Sequence, residues 1–300
     1  MGAAYRDGPP SAPDPGYGSV TMRLAHITDL HVERPARAAE LLNKRLLGEV
    51  NLHLFGRSAH FSKVAQEALP AAVLAARADA VVCTGDLTAT GTDAEFEAAR
   101  TLLRPLDALP FYCIPGNHDV YTNESVGRYA RFFGETGVRR FDIGPLDLCL
   151  VDVCVPDWLS RGEAGPATLQ ALDDALGSST RPTLLGLHYP LRNRRGEVYG
   201  PPTRALRNAA AVEALIEKHP CVVGVLHGHE HHGFRTRVGP RQVAVFNPGA
   251  SGYAWLPKKK RTAHFNVYDV DDAGIVGVER YAWNGSVFEP ESGGAYEGGG

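Results

Sequence analysis

The sequence predicts a mixed α/β fold, and two observations support this prediction. Short apolar or β-branched runs of strand length recur along the chain. Ala-rich stretches of helical character, 63–77 and 93–106, separate the early runs and give the order β-α-β-α-β, whereas the last three runs look antiparallel. A sandwich of mixed sheets fits this order. The predicted strands are 23–28, 80–84, 111–114, 148–153, 183–187, 222–226, 243–246, 263–270 and 275–281. Further helices are predicted at 166–176 and 206–219.

Composition limits the classes of protein to which the chain can belong. With 300 residues and 44% hydrophobic content, it can fill a sizeable core. A formal net charge of −3 argues against a protein that works by wrapping nucleic acid. The chain has no apolar run of about 18 residues, so no membrane span is predicted. The five cysteines lack a CxxC spacing and lie mostly in apolar runs, which favours buried thiols in a reducing cytoplasm.

The two ends of the chain differ in composition from the rest. Residues 1–20 are rich in Gly, Pro, Ala and Ser, and residues 291–300 are dominated by Gly. Such segments bury too little apolar surface to offset their ordering entropy. We therefore expect a disordered lead over 1–20, one domain over 21–290 and a disordered tail over 291–300.

Polar clusters follow five of the predicted strands at the point where each strand ends. Because loops at the carboxyl ends of parallel strands line one crevice, clusters that are distant in sequence can converge there. The clusters are Thr28 to His31, Gly85 and Asp86, Gly116 to Asp119, His188, and His227 to His231.

The side chains in these clusters are those that two neighbouring divalent cations require. Carboxylate and amide oxygens together with neutral imidazole nitrogens suit such a pair, and one Asp can bridge both cations. Asp29 and His31 have a spacing of two, so both would point the same way if the strand continued, and His229 and His231 repeat this spacing. Glycines would let the backbone turn sharply at three strand ends, namely Gly85, Gly116 and Gly228.

The ordered series of these blocks resembles the calcineurin-like metallophosphoesterase superfamily, and within it the small bacterial phosphodiesterase-type branch. The resemblance extends from Leu24 to about Tyr253. It implies a four-layer α/β/β/α sandwich with two mixed sheets and a dinuclear metal site at the carboxyl ends of strands. The blocks are Asp29-x-His31, Gly85-Asp86, Gly116-Asn117-His118-Asp119, His188 and Gly228-His229-x-His231.

The resemblance also implies a role for each matching residue. Two divalent cations, whether Mn, Fe, Zn or Co, would activate a bridging water and orient the phosphoryl group for in-line attack. His118 would not bind metal but would lie over the substrate phosphate as a hydrogen-bond donor or general acid. The implied ligands are Asp29, His31 and His231 for one cation, Asn117, His188 and His229 for the other, and Asp86 for both.

Several residues in these blocks also allow a simpler interpretation. His188 could be a core histidine that is hydrogen-bonded to a backbone carbonyl. Asp119 could orient a histidine or cap the helix that follows. We exclude His227 and His232 as ligands and expect them to support the site or lie at the surface.

The resemblance implies a small phosphodiester or diphosphate as the substrate. Basic and apolar residues alternate over 36–61, which could form a cap that contacts a membrane surface or an ordinary packed helix. Residues 43–48 resemble insertions in UDP-diacylglucosamine pyrophosphatases, so a lipid-linked diphosphate is an alternative substrate. A second alternative is a non-catalytic protein-binding scaffold of the same fold. The predicted location is the cytoplasm, with peripheral contact to the inner face of the membrane if 36–61 forms the cap.

Overall fold

The computed structural model describes residues 22–35 and 60–291. Within these residues the chain folds into two six-stranded sheets, a short two-stranded sheet and helices that pack against the large sheets. The helices are α1 (Lys63–Ala75), α2 (Asp93–Leu103), α3 (Asn123–Phe133), α4 (Pro166–Gly177) and α5 (Ala209–Lys218), with 3-10 turns at Arg104–Leu106 and Pro257–Lys259.

The first large sheet has the strand order β14-β13-β12-β1-β2-β3. β1 pairs in parallel with β2, and β2 with β3, so the carboxyl ends of these three strands meet at one edge. The remaining pairs are antiparallel. The strands are β1 (Met22–Ile27), β2 (Ala80–Cys83), β3 (Phe111–Cys113), β12 (His264–Asp271), β13 (Gly274–Trp283) and β14 (Phe288–Pro290).

The second large sheet has the order β10-β11-β9-β7-β5-β4, in which β11, β9, β7 and β5 run parallel and the two edge strands run antiparallel. Its strands are β4 (Val138–Asp142), β5 (Asp147–Val151), β7 (Thr183–Gly186), β9 (Val222–Leu226), β10 (Phe234–Val238) and β11 (Val243–Asn247). The short sheet pairs β6 (Gly162–Glu163) with β8 (Leu206–Arg207).

Side chains along the central strands point alternately to the two faces of each sheet and so divide the core into layers. On β2, Ala80 and Val82 face the second sheet, whereas Val81 and Cys83 pack in the cluster that contains α1, α2 and α3. The second sheet repeats this pattern, because its inner residues join the same inter-sheet cluster and its outer residues pack against α4 and α5. Since successive side chains of a strand point to opposite faces, each buried strand serves two layers. The predicted four-layer α/β/β/α sandwich is confirmed.

The structure corrects part of the predicted element list. Val243–Asn247 is not a member of an antiparallel terminal group: it lies in the second sheet and pairs in parallel with β9. β4, β10 and the helix α3 are present where the strand and helix patterns predicted no bounded element. Both strands lie at sheet edges and carry several Arg residues, so their alternation is too polar to stand out in the sequence.

Some predictions concern residues that the structure does not describe. Most of the segment 36–61, the lead 1–20 and nearly all of the tail 291–300 lie outside the described residues, so the predicted cap and the predicted ends stay predictions. Among the helices that are described, none has both the length and the apolar character needed to cross a membrane.

Candidate metal centre

The predicted site residues come together where the two large sheets meet at the carboxyl ends of their parallel strands. Asp29 and His31 follow β1, Asp86 follows β2, and Asn117 follows β3. From the second sheet, His188 follows β7, and the pair His229 and His231 follows β9. These seven side chains range from fully buried to partly exposed at His231. The strand ends thus concentrate them at one place, as the sequence predicted.

The backbone at this site differs from the expected continuation of the strands. Asp29 and His31 have φ angles of 52° and 50°, and His229 and His231 have φ angles of 69° and 58°. Asp86 also lies in this left-handed region, with φ of 56°. Such a backbone costs roughly 1–2 kcal/mol per non-glycine residue and is found mainly where function requires it. The strands end before these residues, so the condition for the alternation argument is not met, and the paired side chains converge through left-handed turns instead.

Two glycines let the ligand loops approach one another. A Cβ on Gly116 would lie 2.1 Å from Oδ1 of Asp86, and a Cβ on Gly228 would lie 2.1 Å from Oγ1 of Thr28. Both distances are far inside normal contact, so any larger residue would push a neighbouring ligand loop away. Here the glycines serve close packing as well as turning.

The first group of potential ligands contains Asp29, His31, Asp86 and His231, whose donor atoms all lie within 4.8 Å of one another. Nε2 of His31 is 3.1 Å from Nε2 of His231 and 3.4 Å from Oδ2 of Asp86. Oδ1 of Asp29 lies 3.2 Å from Nε2 of His231. These separations suit donors that surround one cation at about 2.0–2.2 Å.

The second group contains Asp86, His188 and His229, and it shares Asp86 with the first group. Oδ1 of Asn117 lies 2.9 Å from Nδ1 of His229 and 3.2 Å from Nε2 of His188. The amide of Asn117 therefore completes this group as an oxygen donor. Asp86 stands between the two groups, in the position that a bridging ligand requires.

Orphaned polar atoms indicate that cations fit here. Oδ1 of Asp29 is buried and accepts no hydrogen bond from the residues that the structure describes, whereas its Oδ2 accepts from Thr28 Oγ1 and from the His229 amide. Within the same residues, neither Asp29 nor Asp86 has a Lys or Arg partner. Buried carboxylates that no Lys or Arg neutralises are costly, so a bound cation would stabilise both.

Hydrogen bonds fix the tautomers of two ligand histidines. His188 donates from Nδ1 to the carbonyl of Thr84 at 2.7 Å, and His229 donates from Nε2 to the carbonyl of Arg204 at 3.0 Å. A carbonyl can only accept, so the proton is on the nitrogen that faces it. The other nitrogen of each ring faces Asn117, with a lone pair available for a cation.

The electrostatics of the site favour ionised carboxylates. Burial by itself would raise the pKa of Asp86, but the neighbouring His188 and His118 lower it by a larger amount, so the pKa lies below its ordinary value. The same balance holds the pKa of Asp29 low, through His231. Burial opposes the charged form of His188, yet Asp86 raises its pKa to about 9. Because a histidine binds a cation through an unprotonated nitrogen, a cation at this site would compete with a proton for Nε2 of His188.

His118 lies beside the ligands without belonging to either group. Its Nδ1 donates to the carbonyl of Ala89 at 2.6 Å, and its backbone amide donates to Oδ1 of Asp86 at 2.8 Å. The ring centroid is 4.6 Å from that of His31. His118 also lines a cavity of about 490 Å³ that opens over the ligands. Its ring is thus held at the edge of the cavity, where a substrate would lie.

Comparison with known proteins now decides the family. The model of the calcineurin-like phosphoesterases matches residues 22–233, which is more than half of the chain. The chain belongs to the calcineurin-like phosphoesterase family. This confirms the resemblance and the predicted enzyme class of metal-dependent phosphoester hydrolases.

Relatives of this family member include bacterial proteins named as phosphodiesterases. A 3′,5′-cyclic-nucleotide phosphodiesterase of Nostoc sp. is 29% identical over 158 residues, which is 52% of this chain and 57% of the relative. A probable cyclic nucleotide phosphodiesterase of Synechococcus sp. is 29% identical over 224 residues, 72% of this chain and 76% of the relative. The match to the first of these spans little more than half of its length.

Solved structures of similar fold include two phosphatases. A purple acid phosphatase from yellow lupin seeds superposes with a TM-score of 0.60 and 16% identity, over 95% of this chain and 54% of that one. A dimetal phosphatase from Danio rerio superposes with a TM-score of 0.61 and 14% identity, over 92% and 99%. These similarities support the family fold.

Asp119, the last residue of the Gly116–Asp119 block in this phosphoesterase, has neither of its two expected roles. It does not orient a histidine and does not cap α3; its carboxylate accepts from the amides of Leu87, Thr88 and Gly116 and from the Thr88 hydroxyl. Burial, together with the Asp86 charge, raises its pKa to about 7. Asp119 therefore ties the Asp86 loop to the Asn117 loop.

The two histidines that we excluded as ligands lie outside both ligand groups. His227 is fully buried, and the Asn247 amide contacts its Nδ1 at 3.3 Å. His232 lines the cavity over the ligands. Burial, then repulsion from His188, places the pKa of His227 at about 3, so it is neutral.

Sequence reasoning missed the residues that complete the cavity wall. The side chain of Arg204 donates to the carbonyl of His229 at 3.1 Å, and its own carbonyl accepts from the same ring. The hydroxyl of Tyr253 lies 2.9 Å from Nδ1 of His231. Neither residue follows a strand in one of the motif blocks, so no local signal marked them. Two other wall residues without such a signal are His60 and Ser160, whereas Glu230 lies between the block residues His229 and His231.

Proposed function

We propose that this protein is a phosphodiesterase that hydrolyses a small phosphodiester at a dinuclear metal centre. The observation that carries the proposal is the position of Asp86, which is shared by two groups of buried ligands next to His118. The relatives named as cyclic-nucleotide phosphodiesterases support diester chemistry. A further relative, a probable glycerophosphodiester phosphodiesterase of Arcobacter nitrofigilis, is 46% identical over 100 residues, 33% of this chain and 30% of the relative.

In this proposal each side chain holds or orients a part of the reaction. Asp29, His31 and His231 would hold one divalent cation, Asn117, His188 and His229 would hold the other, and Asp86 would be a ligand of both. When bound, the cations supply Lewis-acid charge and an activated water nucleophile. The ligand side chains lie directly after buried strands, which hold them in place, and this fixed geometry positions the substrate for attack.

His118 acts on the leaving group. The Ala89 carbonyl keeps the proton on Nδ1, so Nε2 is the nitrogen available to the substrate. A protonated Nε2 donates to the leaving oxygen as the phosphorus–oxygen bond breaks, which prevents a free alkoxide from forming. The backbone amide of His118 donates to Oδ1 of Asp86. Oδ2 of Asp86 therefore remains directed towards His31 and His188.

A comparison of two chromogenic substrates tests the proposal. Purified protein is assayed with bis(p-nitrophenyl) phosphate and with p-nitrophenyl phosphate, with added Mn²⁺ and after chelation. We expect metal-dependent cleavage of the diester that exceeds cleavage of the monoester. Faster monoester cleavage, or rates that chelation does not change, would contradict a dinuclear phosphodiesterase.

We predict that Asp86→Asn removes activity because it weakens binding at both cation positions. A neutral amide cannot bridge two cations as a carboxylate does. The metal content per chain, measured by inductively coupled plasma spectrometry, should fall towards zero rather than by half, because both positions lose the shared ligand. The matched control is Asp107→Asn, an exposed carboxylate paired with Arg100, and it should keep wild-type metal content and rate. Normal turnover by the Asp86 variant would exclude the bridging role.

A further inference from the structure

None of the candidate metal ligands lines a second cavity of about 230 Å³. Its wall is formed by the loop and first turn of α3 and by the loop that precedes β6. Its lining combines two aromatic rings with polar side chains. The lining residues are Tyr121, Thr122, Asn123, Glu124, Pro156, Asp157 and Trp158.

The two cavities lie side by side, because both loops contribute to both. The first loop places His118 in the metal cavity and Tyr121 in the second cavity. The other loop places Ser160 in the metal cavity and Trp158 in the second. The rings of His118 and Tyr121 stack with centroids 5.9 Å apart at an angle of 29°. A ligand that extends past His118 on this side therefore reaches Tyr121 and Trp158.

Trp158 is the most exposed large apolar side chain among the described residues, with 73% of its surface accessible. Its loop does not depend on the indole for its conformation. Asp157 accepts from the Leu159 amide and pairs with Arg161, and the Ser160 carbonyl accepts from the Tyr189 hydroxyl. An exposed indole beside a second aromatic ring in a cavity offers an apolar face to a ligand, because covering the ring removes it from water.

We propose that Tyr121 and Trp158 form the subsite for the leaving group, and that this group carries a flat heterocycle such as a nucleobase. This inference rests on the proposed phosphodiesterase function. His31 and Tyr121 both contact the His118 ring, and His31 belongs to the candidate metal ligands. With the leaving oxygen at Nε2 of His118, the proposal places the rest of the leaving group on the Tyr121 side of that ring. Any nucleobase offers a π face to an aromatic side chain, which gives affinity without strict base identity.

The substrates that test this subsite are 3′,5′-cyclic AMP and its analogue without the base, 1-deoxyribose 3′,5′-cyclic phosphate. Both have the same phosphodiester and the same leaving oxygen. Trp158→Ala should lower kcat/KM for cyclic AMP about 10-fold, mainly through KM, because stacking is lost. It should change kcat/KM for the baseless analogue by less than about twofold. Trp158→Phe keeps an aromatic face and should restore most of the loss.

The matched control is Trp255→Ala, which removes another exposed tryptophan that lines neither cavity. It should leave both substrates unaffected. An equal loss for both substrates in Trp158→Ala, or no loss for either, would overturn the subsite while the phosphodiesterase function stands.

A binding measurement separates failure of the subsite from failure of the proposed function. Titration calorimetry with AMP and with ribose 5-phosphate reports base binding whether or not the protein turns over a diester. We expect Trp158→Ala to weaken AMP binding about 10-fold and ribose 5-phosphate binding little. Absence of diester turnover with this AMP effect would refute the function and retain the subsite. Equal affinities of AMP and ribose 5-phosphate for the wild type would refute the subsite.

Discussion

We predict that Gly228→Ala disrupts the metal centre although it adds a single methyl group. The new Cβ would lie 2.1 Å from Oγ1 of Thr28 and 2.6 Å from Oδ2 of Asp29. Normal carbon–heteroatom contact is about 3.5 Å, so the Thr28 side chain would have to move by roughly 1 Å or more. Oδ2 of Asp29 accepts hydrogen bonds from Thr28 and from the His229 amide. A displacement of this oxygen would therefore shift two candidate ligands, Asp29 and His229.

The structure sets the size of the expected effects. Overpacking of this kind costs about 1–3 kcal/mol of the free energy of unfolding. Misplacement of catalytic groups by about 1 Å lowers rates roughly 100-fold. We therefore expect Gly228→Ala to reduce stability by about 1–3 kcal/mol and kcat/KM by about 100-fold, with weaker Mn²⁺ binding.

Gly127→Ala is the matched control, because a Cβ there has no heavy atom within 4 Å and the residue lies inside α3. Alanine should stabilise that helix by about 0.5–1 kcal/mol and leave activity unchanged. Urea unfolding of the chelated variants, Mn²⁺ titration calorimetry and initial diester rates give the three readouts. If Gly228→Ala bound Mn²⁺ as tightly as the control, the close approach of the two ligand loops would have no functional weight.

Two further predictions follow from the buried histidines. His118→Ala should keep both cations, since the backbone amide that binds Asp86 remains, but it should slow the chemical step about 10²–10⁴-fold. Metal analysis and pre-steady-state rates measure these two effects. Loss of metal in this variant would mean that the His118 ring is a ligand. For His26, burial and then His227 lower the pKa from 6.5 to about 3, so the folded state excludes a proton that the unfolded chain binds below pH 6.5. Between pH 7.5 and 5.5, the free energy of unfolding of the chelated wild type should therefore fall by about 1.4 kcal/mol more than that of chelated His26→Gln. Urea unfolding measures this difference, and parallel pH profiles of the two proteins would disprove the lowered pKa of His26.

Much of the candidate site can be read from the sequence because its residues are local to strand ends. A short apolar strand followed by Asp, Asn or His places that side chain at a sheet edge, and this depends on a few neighbouring residues. Asp29, Asp86, Asn117 and His188 are all found in this way. The parallel order of β1, β2 and β3 then brings three of the clusters together.

Other features depend on contacts between residues that are far apart in the chain. The parallel pairing of Val243–Asn247 with β9 could not be inferred from the run itself, because a strand shows its partner's direction only in the folded sheet. Asp119 belongs to a recognisable block, yet its role is set by amides on a loop about thirty residues away. Tyr121 and Trp158 meet in a cavity between two loops that no motif connects.

The sequence by itself determined the family, the fold class and the identity of the candidate ligands, because all three can be inferred from short sequence blocks that occur in the same order as in the family. The tertiary structure alone decided how those ligands converge. Left-handed backbone at Asp29, His31, Asp86, His229 and His231 turns the side chains inward, and it is maintained by packing between loops from different strands. Local sequence disfavours that conformation for non-glycine residues, so only the surrounding fold can impose it.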